Sequence, residues 1–262
     1  MKDLLQVEGQ EVKTFVHDYN RLLLETFGNL RRLPPFEVER EFLLRDNFKR
    51  WRSSDDPGIM VLCGKTIAPD RTLLSWHSTA TTRVVLEPTK YVQGKDKTQP
   101  LVLLHCFCQA VDNYGEDAMN RHNYITVILV LVYQLLELPA ARLLASDDEQ
   151  HAKLERNIKE LTNQQIGNKP STVLERQFDI FETLLVDFQL GKAFIVLDRI
   201  DRLNINVELF LGSLVNLINR SRKKCILKAL VTVGGKENVD NYEVSGELSQ
   251  EMCKIVVFDQ DN

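Results

Sequence analysis

The sequence predicts an α/β protein built on a parallel, doubly wound sheet. Short apolar runs of strand length recur at 59–63, 101–108, 193–197, 226–231 and 254–258, and longer segments of helical periodicity separate them. The run at 101–108 is apolar almost throughout, as in a strand covered on both faces. At 262 residues and 30.2 kDa, with 44% hydrophobic and 27% charged residues, the chain can bury the core that such a sheet needs.

The elements follow in order. From about Val12 to Phe27, Phe15, Leu22, Leu23 and Leu24 fall at helical spacing, and Gly28-Asn29 supplies C-cap chemistry. This amphipathic helix is expected to dock on the domain. Pro34-Pro35 opens a second helix, Phe36 to Trp51, with Phe36, Phe42, Leu43, Phe48 and Trp51 on its apolar side. The turn residues 53–58 lead into the first strand, Ile59 to Cys63.

After a loop at 64–70 a helix is expected from near Arg71; Arg83-Val84-Val85-Leu86 suits either its end or a separate strand. Tyr91 to Gln99 is a polar loop before the second strand. Helices are expected at Arg121–Leu138, Asp147–Thr162 (Leu154, Ile158, Leu161 inward) and from Lys169-Pro170-Ser171 to Phe188 (Phe178, Phe181, Leu184, Leu185 inward). A third strand, Ala193 to Leu197, ends on Asp198. Helix 206–221 and strands 226–231 and 254–258 complete the chain.

Composition narrows the function. A formal charge of −4 and a pI near 5.8 argue against nucleic acid as a bulk electrostatic partner. The basic cluster Arg220, Arg222, Lys223, Lys224 closes a helix, where the dipole favours cations. Five cysteines, an odd number, are scattered at 63, 106, 108, 225 and 253, which suits a reducing, cytoplasmic setting rather than a disulfide framework. The N-terminus lacks a signal-peptide run, and the longest apolar stretch, Ile125 to Leu136, is too short to span a bilayer and contains Gln134. No membrane partner is expected.

The informative point is Gly64, where the first strand meets a loop and helix. A phosphate-binding loop would read G-x-x-x-x-G-K-[ST], with backbone N–H groups cradling phosphates, a Lys on the β/γ oxygens and a hydroxyl on Mg²⁺. Counted from Gly64, the last three positions hold Pro69, Asp70 and Arg71. The alternative register, with Gly64-Lys65-Thr66 as the motif's end, puts the leading glycine on Ile59 and leaves only turn residues 53–57 for the preceding strand. In the Gly64 register Thr72-Leu73 opens the helix. Asp70 in the lysine position replaces attraction by repulsion: about 4 kcal/mol each way for unit charges about 4 Å apart at an effective dielectric near 20. Pro69 removes an N–H from the cradle. Lys65 or Arg71 is then the substitute phosphate cation.

Asp198 at the end of an apolar strand has the form of a Walker B carboxylate, which holds Mg²⁺. Other constellations are weaker. His105 alternates away from Cys106 and Cys108, no second ligand pair follows at zinc-finger spacing, and these cysteines are expected in the core. Cys63 with His77 lacks an orienting group, His122 and Asn123 cap a helix, and Gly234-Gly235 is a turn.

Taken together, Phe48-Lys49-Arg50-Trp51, Ile59 to Lys65, Tyr133-Gln134-Leu135-Leu136, Ile195 to Asp201 and Ile226 to Thr232 occur in an order that resembles the NACHT-type STAND NTPase domains of filamentous fungi, over residues 36–258. The resemblance implies a three-layer P-loop (ASCE) fold with a parallel five-stranded sheet of order 5-1-4-3-2, preceded by a helical segment at 1–52, the NACHT/STAND-like domain itself being 53–262. It also implies a phosphate loop at Gly64, Lys65, Arg71 and Thr72, with Mg²⁺ at Asp198 and Asp201. Relative to the family pattern the water-activating Glu is Arg202, and the Thr-Ser-Arg at the fourth strand's end is Thr232-Val233-Gly234. Three phosphate-directed groups are therefore missing.

The first functional expectation is accordingly a degenerate, non-catalytic interaction or regulatory module with no catalytic residues and no certain cofactor, whose partners are proteins and whose NACHT-like surface offers an oligomer contact. The second is a divergent ATP/GTP-binding domain of an NLR-like receptor, using Mg²⁺. Family members continue into a helical subdomain and repeats, so the resemblance also implies a fragment or truncated paralogue.

Overall fold

The computed structural model describes residues 16–25, 42–64, 75, 77–93, 102–108, 124–139, 147–163, 170–202, 206–234 and 253–258. The elements are α1 (16–25), α2 (Asp46–Ser53), β1 (Gly58–Gly64), α3 (Ser78–Leu86), α4 (Pro88–Tyr91), β2 (Val102–Phe107), α5 (Tyr124–Leu136), α6 (Asp148–Asn163), α7 (Pro170–Asp187), β3 (Lys192–Asp198), α8 (Val207–Ser221), β4 (Ile226–Val233) and β5 (Cys253–Phe258). The strands form one parallel sheet ordered β2-β3-β4-β1-β5.

Period-two alternation sends the strands' side chains to two separate apolar layers. Ile59, Val61, Cys63, Ile195, Leu197, Ala229 and Val231 join a large cluster with α5, α6, α7 and α8. Met60, Leu62, Phe194, Val196 and Leu230 join a smaller one that contains Phe48 and Trp51 of α2, Ala80 and Val84 of α3, and Tyr91. The unbroken apolar character of the strands follows from this two-sided burial.

Helix boundaries depart from expectation where local signals compete. Arg83 to Leu86 is the end of α3, not a strand, and Pro88 starts the single turn of α4 with Tyr91 and Val92 buried, so that edge of the expected polar loop belongs to the core. Of the second expected helix, residues 36–41 lie outside the described residues; 42 and 43 form a π-type turn, and the regular helix α2 runs from Asp46 to Ser53. In α1 the stripe that faces the protein is Val16, Tyr19 and Leu23, whereas Leu22 and Leu24 are 38% and 54% exposed. Leu23 alone of the three expected leucines is inside.

Two side chains tie helices to the sheet, and a third caps a helix. Lys228, wholly buried in β4, sends its ammonium to the carbonyl of Trp51, to Ser54 Oγ (3.0 Å) and to the carbonyl of Asp56 (2.7 Å), and so satisfies groups at the end of α2. Gln134 of α5 accepts from the His105 N–H (2.8 Å) and donates to the His105 carbonyl (2.6 Å), acting as a one-residue substitute strand on the open edge of β2. Asn206 caps α8 by accepting from the Leu209 N–H at 3.0 Å. At the basic helix end Arg220 pairs with Asp179 and Glu182 of α7. Among the described residues no helix is long and apolar enough to cross a membrane.

Candidate functional site

The polar centre of the molecule lies where β3 and β4 end. Asp198 is the last residue of β3 and is completely buried. Its Oδ1 accepts from the Thr232 hydroxyl of β4 (2.7 Å) and lies 2.8 Å from the Thr81 hydroxyl of α3; its Oδ2 accepts from the Tyr19 phenol of α1 at 3.1 Å. Ser78 adds a buried hydroxyl facing the same carboxyl, outside good hydrogen-bonding geometry. One carboxyl therefore joins four elements.

Protons can be counted here. Thr232 accepts from the Arg199 N–H (2.8 Å), so its own proton goes to Asp198. Thr81 has a single proton and two oxygens at 2.8 Å, the Ser78 carbonyl and Asp198 Oδ1. Burial raises the Asp198 pKa, outweighing the lowering effect of the Thr232, Thr81 and Ser78 hydroxyls. Burial, then the neighbouring Asp198, also pushes the Tyr19 phenol well above its ordinary value, so Tyr19 keeps its proton and remains a donor.

Just beyond, Arg199 has φ 55, the left-handed region that non-glycine residues enter at a cost of about 1–2 kcal/mol. The turn swings its guanidinium back onto Asp201 in a fork: Nε lies 2.9 Å from Oδ1 and Nη2 lies 2.8 Å from Oδ2. Gly234, following β4, makes the space. A Cβ there would lie 2.6 Å from Asp201 Oδ2 and 2.7 Å from Arg199 Nη2. His77 completes the cluster, fully buried with Nδ1 2.7 Å from Ser75 Oγ; burial and then the charge of Arg199 lower its pKa to about 3, so it is neutral.

The expected site residues fare differently. Gly64 is the last residue of β1 and pairs with Phe258 of β5. Lys65, Arg71 and Thr72, together with Pro69 and Asp70, lie outside the described residues. Asp198 and Asp201 are both at the end of β3 but have different partners, hydroxyls for one and a guanidinium for the other. All four of their carboxylate oxygens are within hydrogen-bond distance of a protein donor. As placed, the pair does not fit a Mg²⁺ ion, which needs open oxygen ligands. Among the described residues no group of three or more His, Cys, Asp or Glu side chains is placed to hold a metal. Cys63, Cys106, Cys108 and Cys225 are all buried.

Sequence reasoning missed Tyr19, Thr81 and Arg199. Tyr19 had a usable signal, since it stands three residues from Val16 and four from Leu23 on one helical face. Thr81 and Arg199 had none, because a hydroxyl in a helix and an Arg after a strand are ordinary.

No protein-family model matches the chain, and no curated protein matches it. Similar solved structures include Drosophila ORC bound to poly(dA/dT) DNA and Cdc6, at 12% identity and a TM-score of 0.39, covering 96% of this chain and 34% of that chain. Another is Drosophila ORC bound to GC-rich DNA and Cdc6, at 11% identity and a TM-score of 0.40, covering 94% and 32%. A third, Drosophila ORC bound to DNA, has 13% identity and a TM-score of 0.39, covering 96% and 35%. The chain spans about a third of the length of these proteins, and a likeness at this level assigns it neither family nor activity.

Proposed function

We propose that this chain is a P-loop-type α/β domain, NACHT/STAND-like in motif order, that works as a non-catalytic interaction or regulatory module with protein partners. One observation carries the reading. The carboxyl in the magnesium position, Asp198, is buried under hydroxyls from α1, α3 and β4, and that burial raises its pKa. A carboxyl covered on both oxygens by protein hydroxyls is suited to holding elements together and leaves little room for a divalent cation.

Two further features support it. The strand order read from the β5 edge, β5-β1-β4-β3-β2, is the order expected of the ASCE fold, with Gly64 at the end of β1. At the end of β4, where the family's phosphate-sensing Arg would project, Gly234 instead gives room to the Arg199–Asp201 pair. In this reading the phosphate-facing strand ends have become a structural polar core. Purified chain incubated with ATP or GTP and Mg²⁺ should release no phosphate above the Asp198→Ala control; turnover that this substitution removes would refute the proposal.

A further inference from the structure

We infer that the large apolar layer binds internal water between α6 and α7, with Gln177 as its principal ligand. Gln177 lies midway along α7 and is 0% exposed. Helical spacing sets it on one face with Leu174, Phe181 and Leu184, all members of the large cluster. Among the described residues neither Oε1 nor Nε2 of its amide has a hydrogen-bond partner. Asn157 of α6 repeats the pattern, its Nδ2 enclosed and without an acceptor among the described residues. The ion pairs Glu160–Arg176 and Lys153–Asp187 set α6 antiparallel to α7, which puts Asn157 about one turn, roughly 6 Å, along the axis from the level of Gln177.

An enclosed amide with both ends unmade costs far more than an apolar side chain in the same place, and Leu174 and Leu184 show that this face of α7 accepts leucine. The amide points to a bound partner. That partner donates to Oε1 and accepts from Nε2, is neutral because its surroundings are apolar, and is small because the layer closes over Gln177. Water meets all three conditions. A bound water sits about 2.8–3.0 Å from each of its partners, so one or two of them span the step from Gln177 to Asn157 Nδ2. The site belongs to the helical layer, apart from the strand-end carboxyls, and is independent of whether any nucleotide binds.

Full-length Gln177→Leu and Gln177→Met keep the bulk of the side chain and remove both polar ends. Magnetic relaxation dispersion of the water oxygen, which counts long-lived internal waters, should find fewer in either variant than in wild type; equal counts would overturn the inference. Urea unfolding gives a second readout. A hydrated amide already has its partners, so either substitution should raise the folding equilibrium constant by less than about ten-fold, if at all; a larger gain is the mark of an amide with no partner and would overturn the inference. A high-resolution crystal structure of the wild type should place a water oxygen within about 3.2 Å of both Gln177 Oε1 and Nε2; density without that water, or a protein group bonded to both ends, would contradict it. Should one variant fail to melt cooperatively, the other carries both solution measurements, and should both fail, the wild-type crystal structure decides.

Discussion

Tyr19 and Asp198 are 179 residues apart in sequence and 3.1 Å apart in the folded chain, the phenol of the first described helix donating to the carboxyl that ends the third strand. That contact joins the N-terminal segment to the polar centre and covers it. Removing only the hydroxyl should be mild. Tyr19→Phe keeps the ring on Phe107 and is expected to cost about 1 kcal/mol in urea unfolding, with amide exchange of α1 accelerated more than that of the sheet.

Asp198 separates charge from shape. Asp198→Asn, neutral and isosteric, should cost at most about 1 kcal/mol, whereas Asp198→Ala leaves buried hydroxyls without a partner and should cost about 2–4 kcal/mol. The sign of the pH effect follows from its raised pKa. Its stabilising contribution is complete below the ordinary Asp value, 3.8, and is lost as pH rises through the higher folded value; Asp198→Asn should flatten that side of the stability profile.

His77 acts in the opposite direction. Its folded pKa is lowered to about 3 from 6.5, so its contribution is complete above pH 6.5 and is lost as pH falls toward 3, by about 5 kcal/mol in all. His105, lowered to about 4 by burial, adds to the same acid limb. Chemical unfolding of His77→Gln at several pH values should show a shallower decline between pH 6.5 and 4 than wild type does.

Gly234 and Arg199 should be strongly coupled. Gly234→Ala places a Cβ against the Arg199–Asp201 fork and is expected to destabilise by about 2–3 kcal/mol. In an Arg199→Ala background, where one of the two close atoms is gone, the same substitution should cost much less. The double-mutant cycle measures the difference.

Lys228→Met tests the buried ammonium under α2. Its three oxygen partners, the Trp51 and Asp56 carbonyls and Ser54 Oγ, would lose their donor inside the protein, and the expected cost is about 2–3 kcal/mol by thermal or urea unfolding.

These residues also show where sequence legibility stopped. The strands and most helices were readable because two-sided burial writes itself as apolar runs and helical stripes, as in β3 and α7. Asp198 was readable by its place at a strand end. Its environment was not, since Tyr19, Thr81 and Thr232 come from three distant segments and only the folded sheet brings them to one carboxyl. Lys228 was invisible for a similar reason: a lysine inside an apolar strand gives no sign that a helix end lies above it.

The central claim is that the covered Asp198 is structural and does not serve a nucleotide. Isothermal titration of the full chain with ATP, ADP and GTP in Mg²⁺ tests it most directly. The account predicts no saturable heat at millimolar nucleotide, unchanged by Asp198→Asn. Micromolar binding that Asp198→Ala abolishes in a variant that still unfolds cooperatively would contradict it.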